Sequence, residues 1–270
     1  MTRVGVIGTG EMGRPLIGRL LAAGHEVRAF VRRPEVRAAL EKDGVRCVEA
    51  LTGTAEGTDV VIVYVYSDEQ VREVVLEGRL IEAMAPGSVL VVHTTGSPRT
   101  VEAIDAHARA RGVGVVDAPG SGGPAQVAAG SLTLFAGGDA EHVERCLPLF
   151  DAYASQVVHF GALGSGQRVK LLNNLLFGAH IELALEAARL SEAFGIYPAR
   201  LASALRTCSG ASHALDLVAR MGSAQTLVEA AGRFVYKDVL VARAVAEELE
   251  APLGTIAAVT EPLLEKTRPR

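Results

Sequence analysis

The sequence predicts a doubly wound α/β domain followed by an all-helical domain. Short, continuously apolar β-branched runs recur through the first ~160 residues, helix-like stretches separate them, and the strand signal almost vanishes after Gly166. Runs without polar alternation are typical of strands covered on both faces, as in a parallel sheet with crossover helices. We place the boundary between residues 163 and 164, so the two domains span residues 1–163 and 164–270.

Individual elements follow from local patterns. The predicted strands are residues 4–7, 27–31, 60–65, 89–92, 113–116, 132–136 and 157–160. Residues 167–195 are predicted to form one long helix that Gly195 ends, and further helices are expected after Pro198, Asp216 and Lys237. Residues 266–270 are expected to form a frayed tail.

Composition excludes several classes of function. With 49% hydrophobic residues, 21% charged residues and a net charge of −4, the chain has no electrostatic case for binding nucleic acid or an anionic membrane. No apolar run is long enough to span a bilayer, and we expect no signal peptide, because the first strand is predicted to start near Arg3. The three cysteines lack metal-site spacing, so we expect no metal site and reduced thiols in a cytoplasmic protein.

A glycine-rich turn directly follows the first predicted strand and leads into a helix-like run. Its residues are Gly8, Thr9, Gly10, Glu11, Met12 and Gly13. The first glycine of this pattern allows the tight turn, the second lets backbone approach a pyrophosphate, and the third lets the helix pack against the strand. The helix N-terminus adds unpaired N–H groups and a positive dipole end. In this strand–turn–helix context the segment predicts a dinucleotide site rather than a structural turn.

The end of the second predicted strand indicates which dinucleotide binds. An NAD site uses a carboxylate there for the ribose hydroxyls, whereas arginine suits the 2′-phosphate of NADP. Arg32 and Arg33 follow this strand, and Glu26 lies at its opposite end. We therefore predict NADP(H) rather than NAD(H), with Arg32 the better candidate and Arg33 the second. The alternative is a pair of solvated loop arginines.

Two further loops lie at the carboxyl ends of predicted strands, where open α/β sheets bind ligands. One is the hydroxyl-rich segment at residues 94–98. In the other, residues 117–124, Ser121 precedes Gly122 and Gly123 and offers a hydroxyl and open backbone N–H groups suited to a carboxylate. The alternative is a mobile glycine-rich loop. Asp117 is expected to cap or brace this loop rather than react.

A glycine-broken turn at residues 164–166 opens the long predicted helix. Lys170 and Asn174 are four residues apart and share one helix face, with Asn173 beside them. A lysine can donate a proton if burial lowers its pKa, and an amide can orient a substrate oxygen. Taken alone, the motif also fits a solvated helix face.

Together these motifs resemble the β-hydroxyacid dehydrogenase family, which includes 3-hydroxyisobutyrate dehydrogenase, tartronate semialdehyde reductase and the glyoxylate/succinic semialdehyde reductases. The resemblance covers nearly the whole chain, in order. Residues 8–13 resemble the cofactor turn, 94–98 the cofactor loop and 117–123 the substrate loop. More specific are the resemblances at residues 130–133, at residues 164–174 and at the pair Lys237-Asp238.

The resemblance implies a Rossmann-like N-terminal domain, hydride transfer between a nicotinamide and a small carboxylate-bearing β-hydroxy acid or its semialdehyde, and a homodimer or homotetramer assembled through the helical domain. It also implies roles for individual residues. Lys170 would be the general acid/base. The implied substrate residues are Ser121, Gly122, Gly123, Asn174 and Asn173, and the further cofactor residues are Thr95 and Lys237.

Some positions separate this chain from its wider family. Asn173 stands where the related 6-phosphogluconate dehydrogenases carry histidine, and Lys170 stands where imine reductases carry another residue. Gly120 replaces a usual valine, and His93 lies where the family commonly has methionine. We expect His93 to fix a loop at a strand end rather than to react.

Two other functions remain as alternatives. One is an imine or pyrroline-carboxylate reductase on the same scaffold, against which the intact lysine and paired asparagines speak. The other is a non-catalytic NADP-binding interaction protein, which would bind cofactor without turnover. The motifs indicate a substrate class but not one particular acid, because specificity depends on the shape of the pocket.

Overall fold

A six-stranded parallel sheet forms the centre of the N-terminal part of the chain in the computed structural model, which describes residues 1–268. Its strands are β1 (Arg3–Ile7), β2 (Glu26–Phe30), β3 (Arg46–Val48), β4 (Val60–Val63), β5 (Val89–Val92) and β6 (Gly114–Asp117). Their order is β3-β2-β1-β4-β5-β6, so it reverses between β1 and β4. The crevice at such a reversal is where open α/β sheets bind ligands.

Helices cover both faces of this sheet. They are α1 (Gly13–Ala22), α2 (Pro34–Lys42), α3 (Asp68–Arg72), α4 (Leu80–Ala83) and α5 (Pro98–Arg109). A 3₁₀ turn spans Thr52–Thr54 and a π-helical turn Glu73–Glu77. In β4, Val60 and Ile62 pack into one core, whereas Val61 and Val63 pack into the other. Burial on both faces explains why these strands show no polar alternation.

A second, smaller sheet follows. It contains β7 (Gly120–Ser121), β8 (Leu132–Ala136) and β9 (Ala154–His159), interspersed with α6 (Pro124–Ala129) and α7 (Ala140–Phe150). β7 pairs antiparallel with β8, and β8 pairs parallel with β9. The predicted strands at residues 132–136 and 157–160 therefore exist but do not extend the main sheet. Ser155 and Gln156 of β9 are exposed, so this strand is not covered on both faces.

Between β9 and residue 268, helices are the only regular elements. They are α8 (Ser165–Ala193), α9 (Pro198–Leu205), α10 (His213–Met221), α11 (Ala224–Glu248) and α12 (Thr255–Thr267). The prediction of a long helix ended by Gly195 is confirmed, since Gly195 follows α8 with a φ of +71°. The expected starts after Asp216 and Lys237 were wrong. Ser212 and Ser223 accept backbone N–H groups with their side chains and so begin α10 and α11 earlier.

The chain forms two compact units, Met1–Lys170 and a second that begins at Leu171. All five helices contribute to the core of the second unit, in which Leu171, Leu175, Val235, Val239 and Leu263 of α8, α11 and α12 are buried. The doubly wound sheet followed by helices confirms the predicted fold class. The domain boundary at residues 163/164 stays a prediction.

The C-terminal end of α12 is held by an ion pair. Lys266 Nζ lies 2.5 Å from Glu182 Oε1 of α8, so the tail expected to fray from residue 266 is still ordered at that point. Residues 269 and 270 of the predicted tail lie outside the described residues.

All three thiols are free: Cys47 is half-buried, Cys146 is buried and Cys208 is exposed in the loop after α9. Within residues 1–268, no helix combines the length and apolarity needed to cross a bilayer. In the same range, no three His, Cys, Asp or Glu side chains are grouped as a metal site would require. The cytoplasmic location stays a prediction.

Candidate functional site

The turn between β1 and α1 is shaped by its three glycines. Gly8 has a φ of +109°, and a Cβ there would lie 2.1 Å from the carbonyl oxygen of Tyr64. A Cβ on Gly13 would lie 1.7 Å from the carbonyl oxygen of Gly8. A Cβ on Gly10, in contrast, would meet no atom within 4 Å. The protein's own packing requires Gly8 and Gly13, whereas Gly10 leaves open space that fits a pyrophosphate.

The start of α1 has donors suited to an anion. Met12 precedes the helix and has no side-chain oxygen with which to cap it. The N–H of Arg14 already donates to the Gly10 carbonyl at 3.0 Å, and Pro15 has no N–H. The first turn contains no acidic side chain. Backbone N–H groups at the start of a helix, together with the helix dipole, favour a bound phosphate.

Arg32 and Arg33 lie just after β2, and both side chains are exposed. Arg33 immediately precedes α2, and Glu26 is the first residue of β2, at the opposite end of the strand. Arg37 has a different role, because its guanidinium donates to the carbonyl oxygens of Val31 (3.4 Å) and Val48 (3.2 Å). The two predicted arginines are thus placed at the carboxyl edge of the sheet, where a ribose phosphate would lie.

The loop after β5 is braced from two sides. Thr94 Oγ1 accepts the N–H of Val65 at 2.9 Å. Asp68 accepts the N–H of Ser97 at 3.0 Å and the hydroxyl of Thr100 at 2.6 Å. Thr95, predicted to bind cofactor, is half-buried within this braced segment. The loop therefore has a fixed backbone at the carboxyl edge of the sheet.

His93 lies in the core between these loops. It is 1% exposed, its Nδ1 bonds the carbonyl oxygen of Ala118, and its Nε2 lies 2.8 Å from Tyr153 Oη. Because a carbonyl can only accept, Nδ1 carries the proton and Nε2 accepts from Tyr153. Burial lowers the pKa of His93 to about 4. A neutral imidazole with both ring nitrogens hydrogen-bonded holds the backbone of Ala118, which leads into the proposed substrate loop.

The segment Ser121–Gly123 lies at the end of β7 and the start of α6. Gly122 has a φ of +129°, a conformation that favours glycine. The N–H of Gly123 donates to Gln126 Oε1 at 2.9 Å, so it is not open in the way the sequence suggested. At Gly120 a Cβ would meet the side chains of Leu134 (3.4 Å) and Leu132 (3.5 Å). The glycine-for-valine difference therefore changes core packing rather than the loop surface.

Asp117, the last residue of β6, is buried and bonds the start of α8. Its carboxylate accepts the N–H of Gly164 and the N–H of Gln167, each at 2.7 Å. Burial raises the pKa of Asp117, and these two N–H groups oppose that rise. Asp117 was expected to brace the substrate loop, and the structure shows instead that it caps α8. Lys170, farther along α8, is 9% exposed.

Gln167 was missed by the sequence reasoning, although it lies inside the lysine motif. It is 1% exposed, its Nε2 donates to the Thr94 carbonyl at 2.8 Å, and its Oε1 accepts the Gly96 N–H at 3.0 Å. A neutral amide gives no chemical signal in a sequence, and its partners are more than 70 residues away. Its position between Gly166 and Lys170, inside the lysine motif, was the one feature of the sequence that could have indicated its importance.

In the helical unit, Asn173 and Asn174 of α8 meet the lysine–aspartate pair of α11. Asn174 Nδ2 donates to Asp238 Oδ2 at 2.5 Å, and Asn173 Nδ2 donates to Asn174 Oδ1 at 2.9 Å. The Lys237 ammonium is paired with the other oxygen of Asp238. Asp238 is 7% exposed and orients both Asn174 and Lys237. It was not among the predicted site residues, although the pair Lys237-Asp238 had been noticed.

Two family models together match nearly the whole chain. A family model for the NAD binding domain of 6-phosphogluconate dehydrogenase matches residues 3–161. A second, described as the NAD-binding of NADP-dependent 3-hydroxyisobutyrate dehydrogenase, matches residues 164–268.

Individual relatives point to the same family. An NAD-dependent L-serine dehydrogenase of Pseudomonas aeruginosa is 35% identical over 80% of this chain and 73% of its own length. A 3-hydroxyisobutyrate dehydrogenase of the same organism is 31% identical over 95% and 90%. The fold alone is shared with a solved structure of 3-hydroxyisobutyrate dehydrogenase from Mycobacterium tuberculosis with L-serine, which is 24% identical, with 98% and 94% of the two chains covered and a TM-score of 0.87.

The glycine turn, the strand order, the lysine and asparagine motif of α8 and the two family models thus lead to one conclusion. The chain belongs to the 3-hydroxyisobutyrate dehydrogenase branch of the β-hydroxyacid dehydrogenase family, the NAD(P)-dependent oxidoreductases that act on CH–OH groups.

Proposed function

We propose that this enzyme interconverts a small carboxylate-bearing β-hydroxy acid and its semialdehyde, with Lys170 as general acid/base. The observation that carries the proposal is a lysine that is 9% exposed, on a helix whose first turn is bonded to the carboxyl ends of β5 and β6. Lysine is rarely buried to this extent in a folded protein. The carboxyl edge of the sheet is also where a nicotinamide would be delivered.

Separate residues would bind the cofactor and transfer the proton. NADP(H), when bound, supplies or accepts the hydride. The turn at residues 8–13 would hold the pyrophosphate, and the braced Thr94–Pro98 loop would hold the cofactor next to β5. Lys170 Nζ would give a proton to the substrate oxygen in reduction and remove it in oxidation.

Substrate binding is assigned to two sets of residues. Ser121 and Gly122 would bind the carboxylate, joined by Gly123 if Gln126 releases its N–H. Asn174 would hold the substrate, with Asn173 bonded to its amide oxygen. Because Lys237 shares Asp238 with Asn174, we assign it to the same cluster.

The substrate class is supported by the names of two relatives. 3-Hydroxyisobutyrate and L-serine, named for the two relatives in Pseudomonas aeruginosa, both carry a carboxylate and a β-hydroxyl. We propose a substrate with these two groups. A spectrophotometric screen should show NADP⁺ reduction with such acids and NADPH oxidation with their semialdehydes. Turnover of cyclic imines instead would favour the imine reductase alternative, and cofactor binding without any turnover would favour the interaction protein.

Replacement of the lysine tests the mechanism. In Lys170→Ala we expect kcat to fall by about 10² to 10⁴, the usual value of a positioned proton donor, while NADPH binding survives. Single-turnover kinetics and a fluorescence titration would measure the two quantities. Arg168→Ala is the matched control, because Arg168 lies on the exposed side of the same turn and pairs with Glu102 at 2.9 Å. Activity of Lys170→Ala within a few-fold of wild type would contradict the assignment.

We also propose a homodimer or homotetramer. α8 carries an exposed apolar stripe whose members are spaced four or seven residues apart and so lie on one face. Its residues are Leu172, Leu176, Leu183 and Leu190, each at least 44% exposed, and exposed Phe194 follows just beyond the end of the helix. The stripe runs about 27 Å along the helix. An apolar surface of this length is typical of a protein–protein interface.

A further inference from the structure

We propose that Asp117 and Gln167 are positioning residues that hold Lys170 in its working place by fixing the first turn of α8 to the carboxyl ends of β5 and β6. This inference rests on the proposed role of Lys170. It assigns the neighbouring buried polar groups a function in proton transfer, beyond that of holding the fold together.

The first tether is a carboxylate. Asp117 is 0% exposed and accepts the N–H groups of Gly164 and Gln167, one with each oxygen, at 2.7 Å. These donors belong to the start of α8 and have no partner within the helix. The backbone of Asp117 is itself fixed, since its N–H and carbonyl both pair with Gly137 (3.0 and 2.8 Å). The start of α8 is therefore attached to the end of β6.

The carboxylate of Asp117 lies close against two glycines. A Cβ on Gly137 would lie 2.5 Å from Oδ1, and a Cβ on Gly166 would lie 2.8 Å from Oδ2. A Cβ on Gly166 would also lie 2.1 Å from the carbonyl oxygen of Phe135. Glycines on both sides thus allow the carboxylate and the helix turn to approach closely. This explains why the turn before Lys170 contains glycine.

The second tether is an amide. Gln167 bonds the Thr94 carbonyl and the Gly96 N–H at the end of β5, and its side chain is buried. Lys170 follows three residues later and lies on the same face of the helix. The two tethers attach one helical turn at two separate strand ends. Together they restrict both rotation and axial shift of the turn that carries the amine.

A purely structural helix anchor would not need these groups. Burial raises the pKa of Asp117, which means that burying its charge is unfavourable, and apolar residues often hold a helix as well as buried ions do. Hydrogen bonds are directional and apolar contacts are not. A directional anchor is what a proton donor requires, since displacement by about 1 Å can reduce the rate of a positioned reaction by as much as 10².

Asp117→Asn and Gln167→Ala test the proposal. Asparagine keeps one acceptor but turns an NH₂ group toward a backbone N–H. We expect each change to lower kcat by about 10- to 100-fold, with a smaller effect on the KM of the substrate. Arg168→Ala, on the exposed side of the same turn, should change kcat by less than about twofold. Circular dichroism would check that each variant folds. If Asp117→Asn does not fold, Gln167→Ala, which removes no charge, still tests the proposal.

The same changes in a Lys170→Ala background separate this proposal from the proposed function. If Asp117 and Gln167 act through the lysine, neither change should further reduce the residual activity of Lys170→Ala. An equal fold-loss in both backgrounds would show that they act by another route and would overturn the inference, as would wild-type kcat in both single variants. Wild-type activity of Lys170→Ala itself would instead remove the proposed catalytic role.

Discussion

At the scale of single residues, we expect Arg32 and Arg33 to set the cofactor preference. Both are exposed at the carboxyl edge of the sheet, and no acid stands at the end of β2 to bind ribose hydroxyls. We expect Arg32→Ala to raise the KM for NADPH by about 10-fold or more and to leave that for NADH nearly unchanged, because a bidentate arginine–phosphate contact is worth about 1.5–3 kcal/mol. Steady-state kinetics with both cofactors measure the ratio.

The control for this prediction is Arg111→Ala. Arg111 is exposed, bonds the carbonyl of Glu82 at 2.9 Å and precedes β6, at the amino edge of the sheet. The Arg111→Ala change removes the same positive charge, but far from the predicted site of the NADP 2′-phosphate. Equal KM values for NADPH and NADH in the wild-type enzyme would contradict the predicted preference, as would an unchanged ratio in Arg32→Ala.

His93 makes stability depend on pH. Its pKa is lowered to about 4 by burial, whereas a histidine in the unfolded chain titrates near 6.5. The unfolded state therefore binds the proton first as pH falls, so the contribution of His93 is fully present above pH ~6.5 and is lost progressively toward pH ~4. The slope approaches about 1.4 kcal/mol per pH unit within this window.

His93→Met tests this dependence by denaturant unfolding at several pH values. At pH ~7 the variant should be less stable, because the carbonyl of Ala118 and the hydroxyl of Tyr153 lose their partner, at about 1–3 kcal/mol. The difference should shrink by about 2 kcal/mol or more by pH ~4.5. His107→Met, on an exposed face of α5, is the control. A constant difference across the range would show that His93 is not a buried neutral group.

Residue types with strong chemistry could be predicted from the sequence, and neutral ones could not. Lys170 and Asn174 stood out because an amine and an amide are unusual in an apolar helix, and the structure buries both. Gln167 and Asp238 act through partners that are distant in sequence, and their importance follows only from the fold. The N–H of Gly123 was expected to be open, but the Gln126 side chain accepts it.

At the scale of elements, α8 exposes the apolar stripe that begins at Leu172 and ends at Leu190. We expect Leu183→Asp, in the middle of this stripe, to shift the enzyme from dimer or tetramer to monomer, since a charge in a buried apolar interface is strongly unfavourable. Sedimentation velocity measures the mass. Leu249→Asp is the matched control, because Leu249 is 58% exposed but lies beyond the end of α11. A wild-type enzyme that is monomeric at micromolar concentration would contradict the proposed assembly.

Element prediction succeeded where a pattern was long or strongly apolar. The runs at residues 89–92 and 132–136 agree with β5 and β8 residue for residue. β3 and β7 were missed because Arg46–Val48 is a three-residue edge strand and Gly120–Ser121 contains no β-branched residue. The starts of α10 and α11 were misplaced because their serine caps are short-range signals that the apolar periodicity hid.

At the scale of the whole molecule, the three thiols differ in their exposure to solvent. Burial raises the pKa of Cys146 to about 12, and burial also raises the pKa of half-buried Cys47. Cys208 is exposed in the loop after α9. Because the thiolate is the reactive form, a maleimide at neutral pH should modify one cysteine per native chain and all three in denaturant. Mass spectrometry of intact protein and of peptides would count and locate the adducts.

Modification of Cys146 at the native rate of Cys208 would contradict this expectation. If this expectation holds, alkylation of Cys146 reports local unfolding, since this buried thiol can be alkylated only when the sheet-containing unit unfolds around it. The rate of its alkylation, followed with and without bound dinucleotide, would then report how strongly the nucleotide protects that unit against opening.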